Sequence, residues 1–402
     1  MKKERIDEIT LLRAFAFFAI TLQHCIAEYI YRPDIAPPDA IMLAMWFHFT
    51  RFGTPAFVFM AGALLFYNYD ASMKYGTFLK KRFGDIFVPF LTWTGVYWVA
   101  VTIYAGGSFA EAATWIELGR QLVTPTYGYH LWFILMIFQF YLLFPLLYRM
   151  GSAWARWLGQ SERRARVAPG ALLAALGLAY LGLMQFSYAS AGASGAALGG
   201  VWEWLMTHRS KWFVFYFFYF ALGAACAIGL QRFRRVAVQS IAPCILAFVC
   251  MYVWAGYELL QTSTEQMKLG ASTYLRPLIV PLIVSQLMAL YGLAVVFDRH
   301  GGRWRSWLLS IGRLSFGGFL AHPFVLMLVA ALTRPMPLEG YHLPVAAATF
   351  VLVAAGALAI AKAATLLPFG WLLVGAQGRA RTRSAAEMPG EAGRGASGRL
   401  GT

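Results

Sequence analysis

Ten apolar stretches, separated by short connections, constrain this chain more than any other feature. They fall near residues 9–31, 40–68, 84–106, 130–149, 168–186, 211–231, 236–259, 274–297, 307–333 and 344–374. A helix must run for about 20 apolar residues to cross the roughly 30 Å hydrocarbon core. Inside lipid each backbone N–H and C=O needs a partner within the structure, and continuous apolar runs of this length meet that demand as helices. The predicted fold is therefore all-α: a polytopic integral membrane helical bundle of about ten transmembrane helices. Composition supports this at one point, since only 13% of the 402 residues are charged, against about 25% in soluble domains.

Lysine and arginine set the orientation. With the N-terminus inside, the cytoplasmic segments hold 23 of these residues and the outer segments six. The other five (Arg13, Arg51, Arg276, Arg313 and Lys362) sit within or at the ends of apolar runs. An imbalance that alternates loop by loop predicts both termini cytoplasmic and a multi-pass protein of the cell membrane. The net charge of +16 then reads as flanks for anionic membrane lipids, with no nucleic acid implied. The first run follows Lys2, Lys3 and Arg5 without a small-residue cleavage site, so it reads as a retained anchor. Residues 1–374 read as one membrane domain, and 375–402, rich in Gly, Ala, Arg and Ser, as a disordered basic cytoplasmic tail. The connection 187–210 reads as a flexible lid or a linker. Four cysteines (Cys25, Cys226, Cys244, Cys250) include no CxxC pair, which suggests neither a disulfide framework nor a zinc site.

Ionisable groups at membrane depth are expensive and so become candidates for function. The first run carries Arg13 and His24, eleven residues apart. That is close to three helical turns, so both project from one face, about 16 Å apart along the axis. Glu28, one turn further, is placed to orient the imidazole. His48, His130 and His322 join His24 in the outer half of the membrane, with no metal-binding spacing among them. Trp132, beside His130, resembles an interfacial belt residue. On the inner side Lys80, Lys81, Arg82 and Arg313 accompany Arg13, as a site for an anionic ligand would require. Each of these also fits plain positive-inside flanking or snorkelling. Arg51 sits near mid-depth just before Gly53 and Pro55, a pair that predicts a kink or unwound turn lining a cavity.

Taken in order, four pieces resemble the bacterial membrane O-acyltransferases of acyltransferase family 3. They are Arg13-x10-His24, Lys80-Lys-Arg-Phe-Gly-Asp-Ile-Phe-Val-Pro89, His130-Leu-Trp-Phe-Ile-Leu135 and Leu320-Ala-His-Pro323. The resemblance runs from about residue 5 to 374, nearly the whole chain. Asp85 stands where the family often has a second arginine, and Ala61 where serine is common. The wording of Thr54–Gly62 is similar to the branch of intercellular polysaccharide adhesin acyltransferases and exporters. The resemblance implies an acyl group, of the acetyl or succinyl class, moved from cytoplasmic acyl-CoA to a hydroxyl of an extracytoplasmic glycan or lipid-linked saccharide. His24 would be base or acyl acceptor, with Glu28, Arg51 and His322 assisting. Arg13, Lys80, Lys81, Arg82 and Arg313 would hold the donor; His48, His130 and Trp132 would meet the acceptor. No bound cofactor and no metal are implied. The alternative reading is a glycan exporter or flippase.

Overall fold

The computed structural model describes residues 5–192, 200–263, 267–376 and 378. Part of the connection 187–210 and nearly all of the tail from 375 therefore lie outside the described residues. Among the described residues, nine helices are long and apolar enough to cross a membrane, or ten if one sharply bent pair counts as a span.

The chain begins with α1 (Asp7–Tyr29). The second span is α2 (Pro37–Phe49) and α3 (Gly53–Asn68), broken by one 3₁₀ turn at Thr50–Phe52. The third is α4 (Tyr75–Arg82) and α5 (Val88–Tyr104), joined through a π turn at Phe83–Phe87. After the short α6 (Ala112–Val123) come α7 (Trp132–Leu158) and α8 (Glu162–Gly192). The short α9 (Gly200–Thr207) precedes α10 (Phe217–Ile228), and the chain then bends by 112° into α11 (Leu230–Gln239). Four more spans follow: α12 (Ile241–Gln261), α13 (Ile279–His300), α14 (Gly302–Thr333) and α15 (His342–Ala364). The last predicted run, 344–374, is two pieces, because α15 stops at Ala364 and a turn leads to α16 (Trp371–Val374).

Helix α1 is the axis of the bundle, packed by α2, α3, α13, α14 and α15. Lipid tails are as apolar as leucine, so helices in a bilayer associate by close packing, which small residues permit. Gly62 of α3 and Gly223 of α10 bring two backbones together; a Cβ on either would strike the carbonyl oxygen of Phe220 or Phe59. Gly312 does the same for α14 against the Thr10 carbonyl of α1. The rim helix α12 instead leaves Leu246, Val253 and Trp254 exposed, as a lipid-facing surface would.

The two breaks have identifiable causes. At Thr50–Phe52 the α-helical ladder is interrupted, and side chains of neighbouring helices reach the carbonyls at the break: Gln286 Nε2 donates to Phe49 O (2.9 Å), and Gln23 Nε2 joins the Gly53 N–H on Thr50 O (2.5 Å). This is the unwound turn expected beside Gly53 and Pro55. At Phe83–Phe87, Pro89 has no N–H for the Asp85 carbonyl, and the ladder shifts to i→i−5, with Val88 N–H on Phe83 O.

Candidate active site

Three histidines meet at the end of α1 away from its N-terminus. The rings of His24 (α1) and His322 (α14) are 5.2 Å apart between centroids, and those of His322 and His130 are 5.0 Å apart. His130 lies in the 3₁₀ turn Tyr129–Leu131 that opens α7. Tyr129 covers His24 at 4.8 Å, while Tyr97 and Phe319 flank His130 at 5.6 and 5.0 Å. His130 and His322 are buried, whereas His24 keeps partial exposure. Among the described residues, no three or more His, Cys, Asp or Glu side chains gather as a metal ion would require.

Pro323 explains the state of His322. A proline inside a helix cannot donate to the carbonyl four residues back, here that of Phe319. His322 Nδ1 takes that role at 2.7 Å. A carbonyl can only accept, so Nδ1 carries the hydrogen and Nε2 keeps its lone pair. Nε2 is buried and has no hydrogen-bond partner among the described residues. One residue on, Phe324 N–H donates to the Tyr97 hydroxyl (3.2 Å), which donates to Leu320 O (2.7 Å). A phenol is thus inserted into the opened helix, and the His-Pro dipeptide and Tyr97 of α5 act as one device.

The other two outer candidates sit elsewhere. His48 falls on the buried face of α2. Its Nδ1 lies 2.6 Å from Ser272 Oγ, and its ring stacks on Tyr252 at 5.0 Å. At zero exposure it braces helices, which corrects its expected contact with an acceptor. Trp132 turns inward against Tyr216, at 6.2 Å, and so is no belt residue. Arg51, in the broken turn, donates from Nε to Ser272 O (2.6 Å) and from Nη1 to Gln23 Oε1 (3.2 Å). Phe47 and Tyr274 sandwich its guanidinium at 4.8 Å each. With those groups engaged, Arg51 positions Gln23, the neighbour of His24, and is not held open for an oxyanion.

Glu28 also needs correction. Its two carboxylate oxygens accept from Arg334 Nε (2.6 Å) and Nη2 (3.1 Å). A bidentate guanidinium is a stronger partner than a neutral imidazole, so Glu28 does not orient His24.

The other end of α1 gathers cations around a phenol. Arg13 and Arg82, with the Asp85 carboxylate, lie within electrostatic range of the Tyr141 hydroxyl on α7. Arg82 lies over Phe78 (5.4 Å) and Tyr141 (5.8 Å), and its buried Nε has no hydrogen-bond partner among the described residues. Arg13 forms no ion pair among the described residues. The rest of the expected basic group does not converge. Lys80 and Lys81 point outward from α4. Arg313 is exposed and donates to Ser310 Oγ, at 3.0 Å. Gly312 faces α1, and the next residue is turned about 100° away.

The sequence reading missed Tyr97, Tyr129, Tyr141, Gln23 and Ser272. Tyr129 adjoins the His130 motif and was within reach of it. The others are single polar residues in apolar helices, and nothing in their spacing distinguishes them from packing residues.

A central helix thus carries histidines at one end and guanidiniums at the other, within a multi-pass helical membrane bundle. Sequence comparison assigns its family. The family described as Acyltransferase domain matches residues 6–364. The chain belongs to that family and is a membrane acyltransferase, transferring groups other than aminoacyl groups. It is similar to YfiQ of Bacillus subtilis (strain 168), provisionally named a membrane-bound acyltransferase, with 26% identity over 381 residues, covering 92% of this chain and 94% of the relative. No solved structure matches the chain significantly.

Proposed function

We propose that the protein transfers an acyl group from cytoplasmic acyl-CoA to a hydroxyl of an extracytoplasmic saccharide, with α1 linking donor and acceptor sides. The carrying observation is the polarity of α1: Arg13, without an ion pair among the described residues, near Tyr141 with Arg82 and Asp85 at one end, and His24 beside His322 and Tyr129 at the other. The guanidiniums suit the phosphates of a coenzyme A donor, for which charge-assisted hydrogen bonds are the natural anchor. In the chemical step His24 takes the proton from the acceptor hydroxyl as its oxygen attacks the thioester carbonyl. The C–S bond then breaks, and the coenzyme A thiolate receives that proton. Alternatively His24 takes the acyl group first and passes it on. His322, held as the Nδ1–H tautomer, leaves Nε2 as an acceptor beside His24.

The N-terminal face is cytoplasmic in this reading, as the lysine and arginine distribution suggests. Cysteines introduced at Ser108 and Ser161, in a background lacking Cys244 and Cys250, should label from outside and inside respectively; the reverse pattern inverts the topology. The function itself is tested with membrane vesicles given labelled acyl-CoA. Label reaching saccharide supports transfer. A protein that neither binds nor consumes acyl-CoA, yet moves saccharide across the bilayer, makes the exporter reading the correct one.

A further inference from the structure

The short helix α6 has no part in the transfer described above, yet it ends just before the turn that carries Tyr129 and His130. Trp115, Ile116 and Val123 are exposed on it, as on a helix resting at a membrane interface. Its start is fastened to α5. Trp98 Nε1 donates to Thr114 O (3.0 Å), and the Trp98 ring meets Trp115 at 4.9 Å and Phe109 at 5.3 Å.

The buried residue of α6 is polar: Gln121, at 2% exposure. A primary amide can donate twice and accept twice, and Gln121 does all four. Its Nε2 donates to Glu117 Oε1 (2.6 Å) and Thr126 Oγ1 (2.7 Å). Its Oε1 accepts from the backbone N–H groups of Thr126 (2.8 Å) and Tyr127 (2.9 Å). Three of these bonds reach forward, past the end of the helix, onto the segment that leads to the histidine turn. An apolar side chain would fill the same space without fixing that segment.

The held segment runs directly into the site. Tyr129 covers His24 at 4.8 Å, and His130 meets His322 at 5.0 Å. Gly128, between the clamp and these rings, is seated closely from the other side. A Cβ there would lie 2.6 Å from Leu131 Cδ1 and 2.8 Å from Tyr97 Cδ2. Tyr97 is the phenol inserted into α14 beside Pro323. The backbone at 126–128 is therefore gripped by Gln121 and rests on Tyr97. We propose that Gln121 is a positioning residue for acyl transfer: it fixes the backbone at Thr126 and Tyr127, and through it the places of Tyr129 over His24 and of His130 against His322. The proposal rests on the reading of His24 as the reacting histidine.

Gln121→Met keeps side-chain length and helix propensity and removes all four bonds. In the purified full chain, hydrogen exchange of the peptide containing Thr126 and Tyr127 should quicken. Transfer kcat should fall by about ten- to a hundredfold, the scale for displacing a group near the reacting atoms by about 1 Å, while acyl-CoA affinity stays at the wild-type value. Glu117→Gln combined with Gln121→Glu reverses the pair. The carboxylate brought in at 121 still accepts from both backbone N–H groups, and the amide at 117 donates to it. The Arg120–Glu117 pair lost in the exchange is exposed on the arginine side and worth little. This double variant should regain slow exchange and most of kcat. Gln121→Glu alone sets two carboxylates against each other and should regain neither. Gly128→Ala presses on the same segment from the Tyr97 side and should also lower kcat with donor affinity kept. Should Gln121→Met fail to accumulate, Gln121→Glu against the double variant carries the same test. The proposal is overturned if exchange is unchanged in Gln121→Met, if exchange quickens but kcat holds, or if the double variant restores exchange without kcat. Normal transfer by His24→Ala would instead sink the histidine reading, and the exchange and kcat of the Gln121 variants would still decide whether the held loop governs turnover.

Discussion

The two ends of α1 treat their polar groups in opposite ways. Around His24, neighbouring side chains are tied: His322 to Phe319, Tyr97 into the α14 ladder, Gln23 to Thr50 and Arg51 to Ser272. Around Arg13, two guanidiniums and the Asp85 carboxylate lie within electrostatic range of Tyr141, and neither Arg13 nor Arg82 forms a salt bridge among the described residues. A desolvated guanidinium without a counter-charge is costly. Under the proposed transfer, one end serves the chemical step and the other holds the donor. The difference teaches that the ends should fail differently when altered.

The largest effect should come from the histidine end. His24→Ala should lower transfer by about 10²–10⁴, the usual scale for losing a general base, while acyl-CoA binding persists. If binding falls in parallel with transfer, the division between the ends is wrong. Next, Arg13→Gln or Arg82→Gln should weaken acyl-CoA binding by roughly one to two decades, with kcat at saturating donor much less affected. Normal donor binding in both variants would remove the arginine end from the mechanism.

Pro323→Ala sharpens the comparison by untying one preorganised group. The alanine N–H would compete for the Phe319 carbonyl and release His322 Nδ1, so kcat should fall by about tenfold. Because an interior proline costs a helix about 3 kcal/mol, the melting temperature should not drop. A less stable variant would mark Pro323 as a packing element only.

The smallest effect concerns Asp34, whose carboxyl, held down chiefly by the Leu338 N–H, lies at about 2 in the fold against an ordinary 3.8. A depressed acid stabilises the folded state above its unfolded value and loses that contribution as pH falls through the folded one. Asp34→Asn should therefore lower thermal stability slightly at neutral pH, and the gap from wild type should close only between about pH 4 and 2. A gap that varies between pH 5 and 8 would point to another group.

Much of this architecture was legible in the sequence. Run lengths set the spans, and Gly53 and Pro55 marked the broken turn. The eleven-residue spacing put Arg13 and His24 on one side of α1. The errors fell on residues whose partners are remote. Glu28 was paired by proximity with His24, but its partner Arg334 is 306 residues away. Lys80 and Lys81 were grouped with Arg82 by adjacency, although successive helical residues point about 100° apart.

Sequence alone determined that this is a ten-run, all-helical membrane chain, because hydropathy and helical period are local properties. Only the tertiary structure decided which histidines share a site. His24, His130 and His322 come from three separate spans, while His48, equally apolar in setting, faces Ser272, 224 residues away. The period of a helix fixes which residues share a face. Which faces meet depends on the summed packing of all the helices, including backbone contacts such as Gly312 on Thr10 and Gly223 on Phe59.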